Sequence, residues 1–216
     1  MSGNGHVETL DFREPPQRVV SLVPSMTDSL YELGVGTSLV GVTSYCPSPL
    51  GSAKAPAIVG GTKDFDPELV SELKPDLIIT NQEENDRQLV EALEGMGLPV
   101  WLTFPQSVEQ ALAILYTLVR LFRLNQAIHR IQTLEVTLDW AARSAADEPI
   151  SVFCPIWLEQ EGKYGPWWMV ANRQTYHYDL LLKCNGRGLF GERERRYPLA
   201  ADLGQAEAEP AGDRDQ

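Results

Sequence analysis

Residues 107–147 contain neither glycine nor proline, although both are scattered through the chain on either side. The apolar pattern within this stretch predicts two successive helices. The first, SVEQALAILYTLVRLF, opens at Ser107 with Gln110 three residues on, the spacing of a capping box. Its inward stripe is Ala111, Leu115, Leu118 and Phe122. At Arg123-Leu124-Asn125 the apolar phase shifts, Asn125 is placed as an N-cap, and a second helix runs to about Ala146. Its stripe is Ala127, Ile131, Leu134, Leu138, Ala141 and Ala145. About 22 residues at 1.5 Å each make a rod of roughly 33 Å, the width of a small domain. Such a rod between two α/β stretches suits a connector between lobes; one more packed helix of a single domain fits the same periodicity.

With 216 residues the chain is long enough for one large domain or two lobes of about a hundred residues each. A net charge of −12 and a pI near 4.7 argue against a nucleic-acid partner, which needs Lys and Arg to displace counterions from phosphates. No run of eighteen apolar residues occurs, so membrane insertion is not expected. The opening MSGNGHVETLDFREPPQR is polar and lacks the apolar core of a signal peptide, which predicts a cytoplasmic protein. Cys46, Cys154 and Cys184 are far apart and odd in number, giving neither a zinc motif nor a disulfide framework.

The first hundred residues alternate strand and helix. RVVSLV (18–23) reads as a buried strand, and Ser25-Met26-Thr27-Asp28 opens a helix through Leu33, closed by Gly34 and Gly36 as left-handed glycines. A strand over 39–45 is followed by a long Pro- and Gly-rich loop, Cys46 to Lys63, of the kind that often binds ligands. Asp66-Pro67-Glu68 starts a helix that ends before Pro75. A strand over 76–80, the loop Asn81 to Asp86, a helix over 87–96 stopped by Gly97, and a strand over 100–103 complete a βαβαβαβ order. That order implies a mostly parallel sheet with helices on both faces, binding ligands beyond the carboxyl ends of its strands. The candidates there are Pro24 and Ser25, Tyr45 to Pro47, Asn81 to Glu84, and Phe104 with Pro105.

Beyond Pro149 a second α/β pattern begins: a strand over 150–157, a turn with an aromatic cluster over 159–170, and a short helix from Thr175 to Cys184 ending at Asn185-Gly186. From Ala200 the composition is that of a disordered tail, so this lobe has about fifty foldable residues and looks unfinished. Trp157, Trp167 and Trp168 fall in one twelve-residue window, and adjacent tryptophans in an extended chain point to opposite sides. At least one should therefore face away from the core, where it could stack on a flat apolar ligand or simply cover a small lobe. No GxGxxG or GxSxG occurs, and Gly60-Gly61-Thr62-Lys63 lacks phosphate-loop spacing. His6, His129 and His177 are dispersed, and Glu83-Glu84 with Asp86 reads as a solvated loop unless a ligand meets it.

The segments RVVSLVPSMTDSLYELGVGTSLVGVTSYCPSP, VGGTKDFDPELVSELKPDLIITNQEEN, GLPVWLTFPQSVEQAL and WWMVANRQTYHYDLLLKCNGRGLF, in this order, resemble the helical-backbone periplasmic-binding-protein family. These are the metal-chelate receptors of ABC importers for cobalamin, haem and ferric siderophores, and the likeness is greatest to cobalamin-binding members. The resemblance implies two Rossmann-like α/β lobes with mostly parallel sheets joined by one long backbone helix, with the chelate held in the cleft. By position it implies ligand contacts from Pro24, Ser25, Tyr45, Cys46, Pro47, Gly61, Thr62, Lys63, Asn81, Gln82 and Glu83 in the first lobe and Pro166, Trp167 and Trp168 in the second. Glu68 falls where such proteins dock on a permease.

The resulting expectation is an N-terminal extension over 1–17, a first lobe over 18–124, a connecting helix over 125–147, a partial second lobe over 148–199, truncated relative to the family, and a tail over 200–216. The function expected is non-enzymatic binding of a metal chelate, cobalamin ahead of haem or a ferric siderophore, with no catalytic cofactor and no protein metal ligand; an ABC permease is the implied partner. Two rivals are a cytoplasmic small-molecule enzyme using Glu83 as acid or base, and a ligand-free interaction module.

Overall fold

The computed structural model describes residues 14–47, 55–143, 148–161 and 165–201. Their contacts divide the chain into two compact units, Met1–Phe104 with Ala113–Ile131, and Pro105–Leu112 with Gln132–Gln216.

The first unit is built on five parallel strands, β1 (Val19–Ser21), β2 (Leu39–Val42), β3 (Ala57–Ile58), β4 (Leu77–Asn81) and β5 (Val100–Thr103), in the order β3-β2-β1-β4-β5. Successive residues of the central strands serve opposite faces. Val19, Leu77, Ile79 and Trp101 pack with Met26 and Leu30 of α1 (Pro24–Glu32) and with Leu118, Leu121 and Phe122 of a later helix. Val20 and Ile78 pack instead with Phe65, with Val70 of α2 (Pro67–Glu72), and with Val90 and Leu93 of α3 (Arg87–Gly95). Both faces are thus covered, which is why these strands read as continuous apolar runs.

Local chemistry sets the helix ends. Asp66 Oδ1 accepts from the amides of Glu68 (2.9 Å) and Leu69 (3.2 Å), and Asp86 Oδ1 accepts from Gln88 (2.9 Å) and Leu89 (3.2 Å). Gly34 and Gly97 take the left-handed conformation after α1 and α3. Gly36 does not, contrary to expectation. It opens a 3₁₀ turn, and a Cβ there would meet the Tyr31 ring at 2.2 Å, so close packing rather than a positive φ requires glycine. The strict βαβ alternation also breaks, because β3 lies directly beside β2 with no helix between them among the described residues. A two-residue strand inside a Pro- and Gly-rich loop carries too little periodicity to be read.

α4 (Val108–Leu121) is capped by Ser107 Oγ, which accepts from the Gln110 amide at 3.2 Å. Gln110 Oε1 reaches back to the amide of Gln106 (2.6 Å), one residue earlier than a capping box would place it. Leu118 and Phe122 of the expected stripe are buried. At the expected phase break Arg123 adopts φ 55°, and a 3₁₀ turn over Asn125–Ala127 leads into α5 (Ile128–Arg143). Asn125 is therefore inside the turn and not an N-cap. The sixteen described residues of α5 make a rod of about 24 Å; the expected end of the helix, Ala145 and Ala146, lies outside the described residues. Among the described residues of the expected stripe only Ala127 and Ile131 are buried, and Leu134 is 50% exposed. The unit boundaries fall inside both helices, whereas the sequence reading places all of 18–124 in the first lobe.

In the second unit the expected single strand over 150–157 is two strands in different sheets. β6 (Ile150–Val152) pairs in parallel with β9 (Gly186–Gly188), while β7 (Pro155–Glu159) joins β8 (Trp167–Val170) and β10 (Leu199–Ala200) in an antiparallel sheet of order β10-β8-β7. An apolar run shows that a segment is buried or paired, not with what. The aromatic segment expected as a turn is thus partly strand β8, and Ala200, expected to start the tail, is fully buried in β10; residues 202–216 lie outside the described residues. Between β8 and β9 runs α6 (Tyr176–Lys183), capped by Thr175, whose Oγ1 accepts from the Tyr178 amide at 3.3 Å. α6 is tied to the start of α4: Asp179 Oδ2 accepts from the Val108 amide at 2.7 Å, and Lys183 bonds Glu109. The hydrogen bond with Lys183 draws the Glu109 carboxyl below its ordinary range, and that with Glu109 raises the Lys183 ammonium.

Among the described residues no helix is long and apolar enough to cross a membrane. Among the described glycines, Gly60 combines a positive φ of 117° with a virtual Cβ 2.7 Å from Phe65 Cα, so its backbone limits substitution. Gly60→Ala is expected to lower the urea stability by about 1–3 kcal/mol. The control Gly95→Ala, at a helical position with open space around it, should be neutral or stabilising by up to ~1 kcal/mol. Equal effects at the two sites would refute the strain at Gly60.

Candidate functional site

Because β1 to β5 are parallel, the residues that follow them leave the sheet at one edge. These are Leu22 to Thr27 after β1, Thr43 to Pro47 after β2, Val59 to Asp64 after β3, Gln82 to Asn85 after β4, and Phe104 with Pro105 after β5. Every first-unit ligand residue expected from sequence lies in this set except Asn81, which ends β4 itself.

The edge is held by side-chain amides. Asn85, buried, donates through Nδ2 to the carbonyls of Leu22 (2.9 Å) and Thr62 (3.0 Å), and its Oδ1 accepts from the Asn81 amide (2.7 Å). One carboxamide therefore ties together the loops after β1, β3 and β4. Asn81 Oδ1 in turn accepts from the amides of Glu83 (2.8 Å) and Glu84 (3.2 Å), folding the loop over its own strand. Lys63 Nζ donates to the Glu83 carbonyl at 2.6 Å, and Asp64 Oδ1 accepts from the Gly61 amide at 3.0 Å.

A second polar cluster lies beneath the loop after β2. Thr27 Oγ1 is 2.8 Å from Ser21 Oγ, 3.1 Å from the Val23 carbonyl and 3.1 Å from Cys46 Sγ, and Thr43 Oγ1 is 3.2 Å from the same sulfur. Cys46 is thus a packed, hydrogen-bonded residue of the loop base, while its neighbour Tyr45 is 71% exposed. Ser25, Pro47, Lys63 and Gln82 are exposed, and Gly61 is buried beneath Tyr45, whose Cε2 lies 3.2 Å from where a Cβ would stand. Glu84 is half-buried, and burial first, then the neighbouring Glu83, raises its carboxyl above the ordinary range against an opposing pull from Lys63. Glu68 sits exposed in the first turn of α2, its amide engaged by Asp66.

In the second unit the pleat separates the two adjacent tryptophans. Trp168 lies on the core side with Val170, edge-on to Phe153 at 5.7 Å between ring centroids. Trp167 lies on the other side with Met169, and the register Leu199↔Met169↔Trp157 carries an apolar row across all three strands on that face. Trp157 is 58% exposed. Both segments are apolar without alternation, so periodicity does not mark this row, and reading residues 159–170 as a turn leaves β8 out of it. Pro166 is exposed just before β8, and His177 is exposed on α6. Among the described residues no group of three or more His, Cys, Asp or Glu is arranged to hold a metal ion.

Asn85, the residue that organises the edge, was not among the expected site residues. Asn85→Ala would leave two carbonyls and one amide at the strand ends unsatisfied, and is expected to lower stability by about 2–4 kcal/mol in urea. A loss under ~0.5 kcal/mol would show that water replaces the carboxamide without cost.

Residues 19–147 match the family described as periplasmic binding protein. The vitamin B12-binding protein of Yersinia pestis is 33% identical over 187 residues, 84% of this chain and 63% of that protein, and the protein of the same name from Yersinia pseudotuberculosis matches to the same extent. The chain therefore spans less than two thirds of the length of these curated relatives. Among solved structures, a possible iron-binding periplasmic solute-binding protein from Staphylococcus epidermidis superimposes with a TM-score of 0.68 at 21% identity, covering 89% of this chain and 74% of that one. A periplasmic vitamin B12 binding protein of Vibrio cholerae gives 0.66 at 21% identity, covering 87% and 71%. A periplasmic haem-binding protein from Roseiflexus gives 0.66 at 19%, covering 86% and 70%. At these identities the likeness is one of fold.

Proposed function

Because the chain belongs to the periplasmic binding protein family, we propose that it is a receptor that captures a metal chelate for an ABC-type importer, and that the chelate is a corrinoid. The observation that carries this reading is the first unit's strand-end edge, a rigid, amide-braced rim that presents an exposed tyrosine. Pro24, Ser25, Tyr45, Cys46, Pro47, Gly61, Thr62, Lys63, Asn81, Gln82 and Glu83 are the proposed contributors. Tyr45 is the stacking group, the exposed Ser25, Lys63 and Gln82 supply polar contacts, and Cys46, Gly61 and Asn81 shape the rim from below.

On the second unit, Trp167 offers the apolar face and Pro166 its border, while Trp168 supports the strand from the core side. Cobalt would arrive within its macrocycle, so the protein need supply no metal ligand, and the reading involves no bond-making step. Glu68 is the proposed contact for a permease. The vitamin B12-binding relatives at 33% identity support corrinoid over haem, although similar folds occur in proteins titled as haem- and iron-binding.

Each surface is tested on its own by titrating intrinsic tryptophan fluorescence with cobalamin, haem and a ferric siderophore, corrected for inner-filter absorbance. Cobalamin is expected to quench saturably. Tyr45→Ala and Trp167→Ala should each raise its Kd about fivefold to tenfold, the worth of one stacked ring. Trp168→Ala should act mainly on stability. Saturation by haem or the siderophore alone would replace the corrinoid, and saturation by none of the three would end the chelate reading.

A further inference from the structure

Tyr45, the proposed stacking group, stands at the tip of a tight turn. The Cys46 amide donates to the Thr43 carbonyl at 3.1 Å and closes the turn, and the Ser44 amide donates to the Gly60 carbonyl at 2.8 Å. The ring is exposed and rests over Gly61. Beneath it, two hydroxyls converge on one sulfur. Thr27 Oγ1, from α1, and Thr43 Oγ1, from the residue after β2, lie 3.1 Å and 3.2 Å from Cys46 Sγ, and both threonines are fully buried. Thr27 is itself held, since its Oγ1 lies 3.1 Å from the Val23 carbonyl one helical turn back and 2.8 Å from Ser21 Oγ on β1. The cluster therefore links β1, α1 and the end of β2 to the residue that follows Tyr45.

A threonine has one proton to give and a thiol sulfur accepts weakly, so none of these contacts is strong alone. Their effect lies in convergence: β-branched side chains have few rotamers, and two of them reaching one atom from two elements fix where that atom sits. A stacking ring that is aimed before the ligand arrives binds more tightly, because less ordering is left to be done on binding. Resting on the chelate reading above, we infer that Thr27 and Thr43 are positioning residues that aim Tyr45 by clamping the Cys46 sulfur. Both are buried, so they act through Tyr45 and not by touching the ligand.

The test is a double-mutant cycle on cobalamin affinity. Thr27→Val keeps the shape of the side chain and removes the hydroxyl. It is expected to raise the Kd about threefold with Tyr45 in place and less than about 1.5-fold in a Tyr45→Ala background, because the aim of that ring is what is lost. Thr27→Ser, which keeps the hydroxyl, should restore the wild-type affinity. A second readout needs no ligand: alkylation of Cys46 by iodoacetamide, followed by peptide mass, should run severalfold faster in Thr27→Val and in Thr43→Val as the sulfur is released. Thr117 on α4 is the matched control, buried and donating to the Ala113 carbonyl four residues back at 2.9 Å. Thr117→Val should move urea stability alone. Equal losses of affinity with and without Tyr45, an alkylation rate unchanged by Thr27→Val, or the same shifts in Thr117→Val would overturn the clamp and leave the chelate reading standing. If the folded wild type binds no cobalamin, haem or ferric siderophore, the chelate reading fails and the positioning role with it.

Discussion

A single buried carboxamide organises the strand-end edge of this fold. The loops after β1, β3 and β4 have no reason of their own to stop in register, since each leaves the sheet at a different height and carries backbone carbonyls that must find donors. Asn85 supplies two donors and one acceptor at once, and Asn81 extends the lock to the glutamates beside it. The sheet below provides a rigid base because both its faces are filled. The amide network converts that base into a defined rim, and whatever Tyr45, Lys63 and the glutamates do rests on it.

The difference between what was and was not legible in the sequence follows the range of the interactions. Asp66 announces its helix because its partners are two and three residues away, and Asp86 caps α3 in the same local way. Gly34 and Gly97 do so because a left-handed turn after a helix selects for them. The parallel sheet and its strand-end edge followed from the broad alternation of strand and helix, although β3 interrupts it. Asn85 was invisible for the opposite reason: its carbonyl partners are 63 and 23 residues away, and no local pattern distinguishes it from any other loop asparagine.

The second unit was harder for a related reason. Ile150 to Trp157 reads as one mostly apolar run in sequence, yet Phe153 and Cys154 form a break at which the chain leaves one sheet for another. Periodicity records which residues avoid water, and pairing partners are decided by the twenty or more residues that follow. The same limit applies to α5, where a regular apolar stripe exists from Ala127 to Ala141 but little of it is covered beyond Ile131. A stripe states what a helix is able to bury, and the surrounding chain decides how much of it is.

The distribution of tryptophan has a spectroscopic consequence. Four of the five, Trp140, Trp157, Trp167 and Trp168, belong to the second unit, and Trp140 and Trp157 are well exposed. Trp101 alone belongs to the first, fully buried against α1 and α4. The emission spectrum is therefore a sum of a short-wavelength component from the parallel-sheet core and a long-wavelength component from the hairpin and helix. The blue edge of the band follows the integrity of one unit and the red edge that of the other, so a single denaturation series reads whether the two melt together or apart.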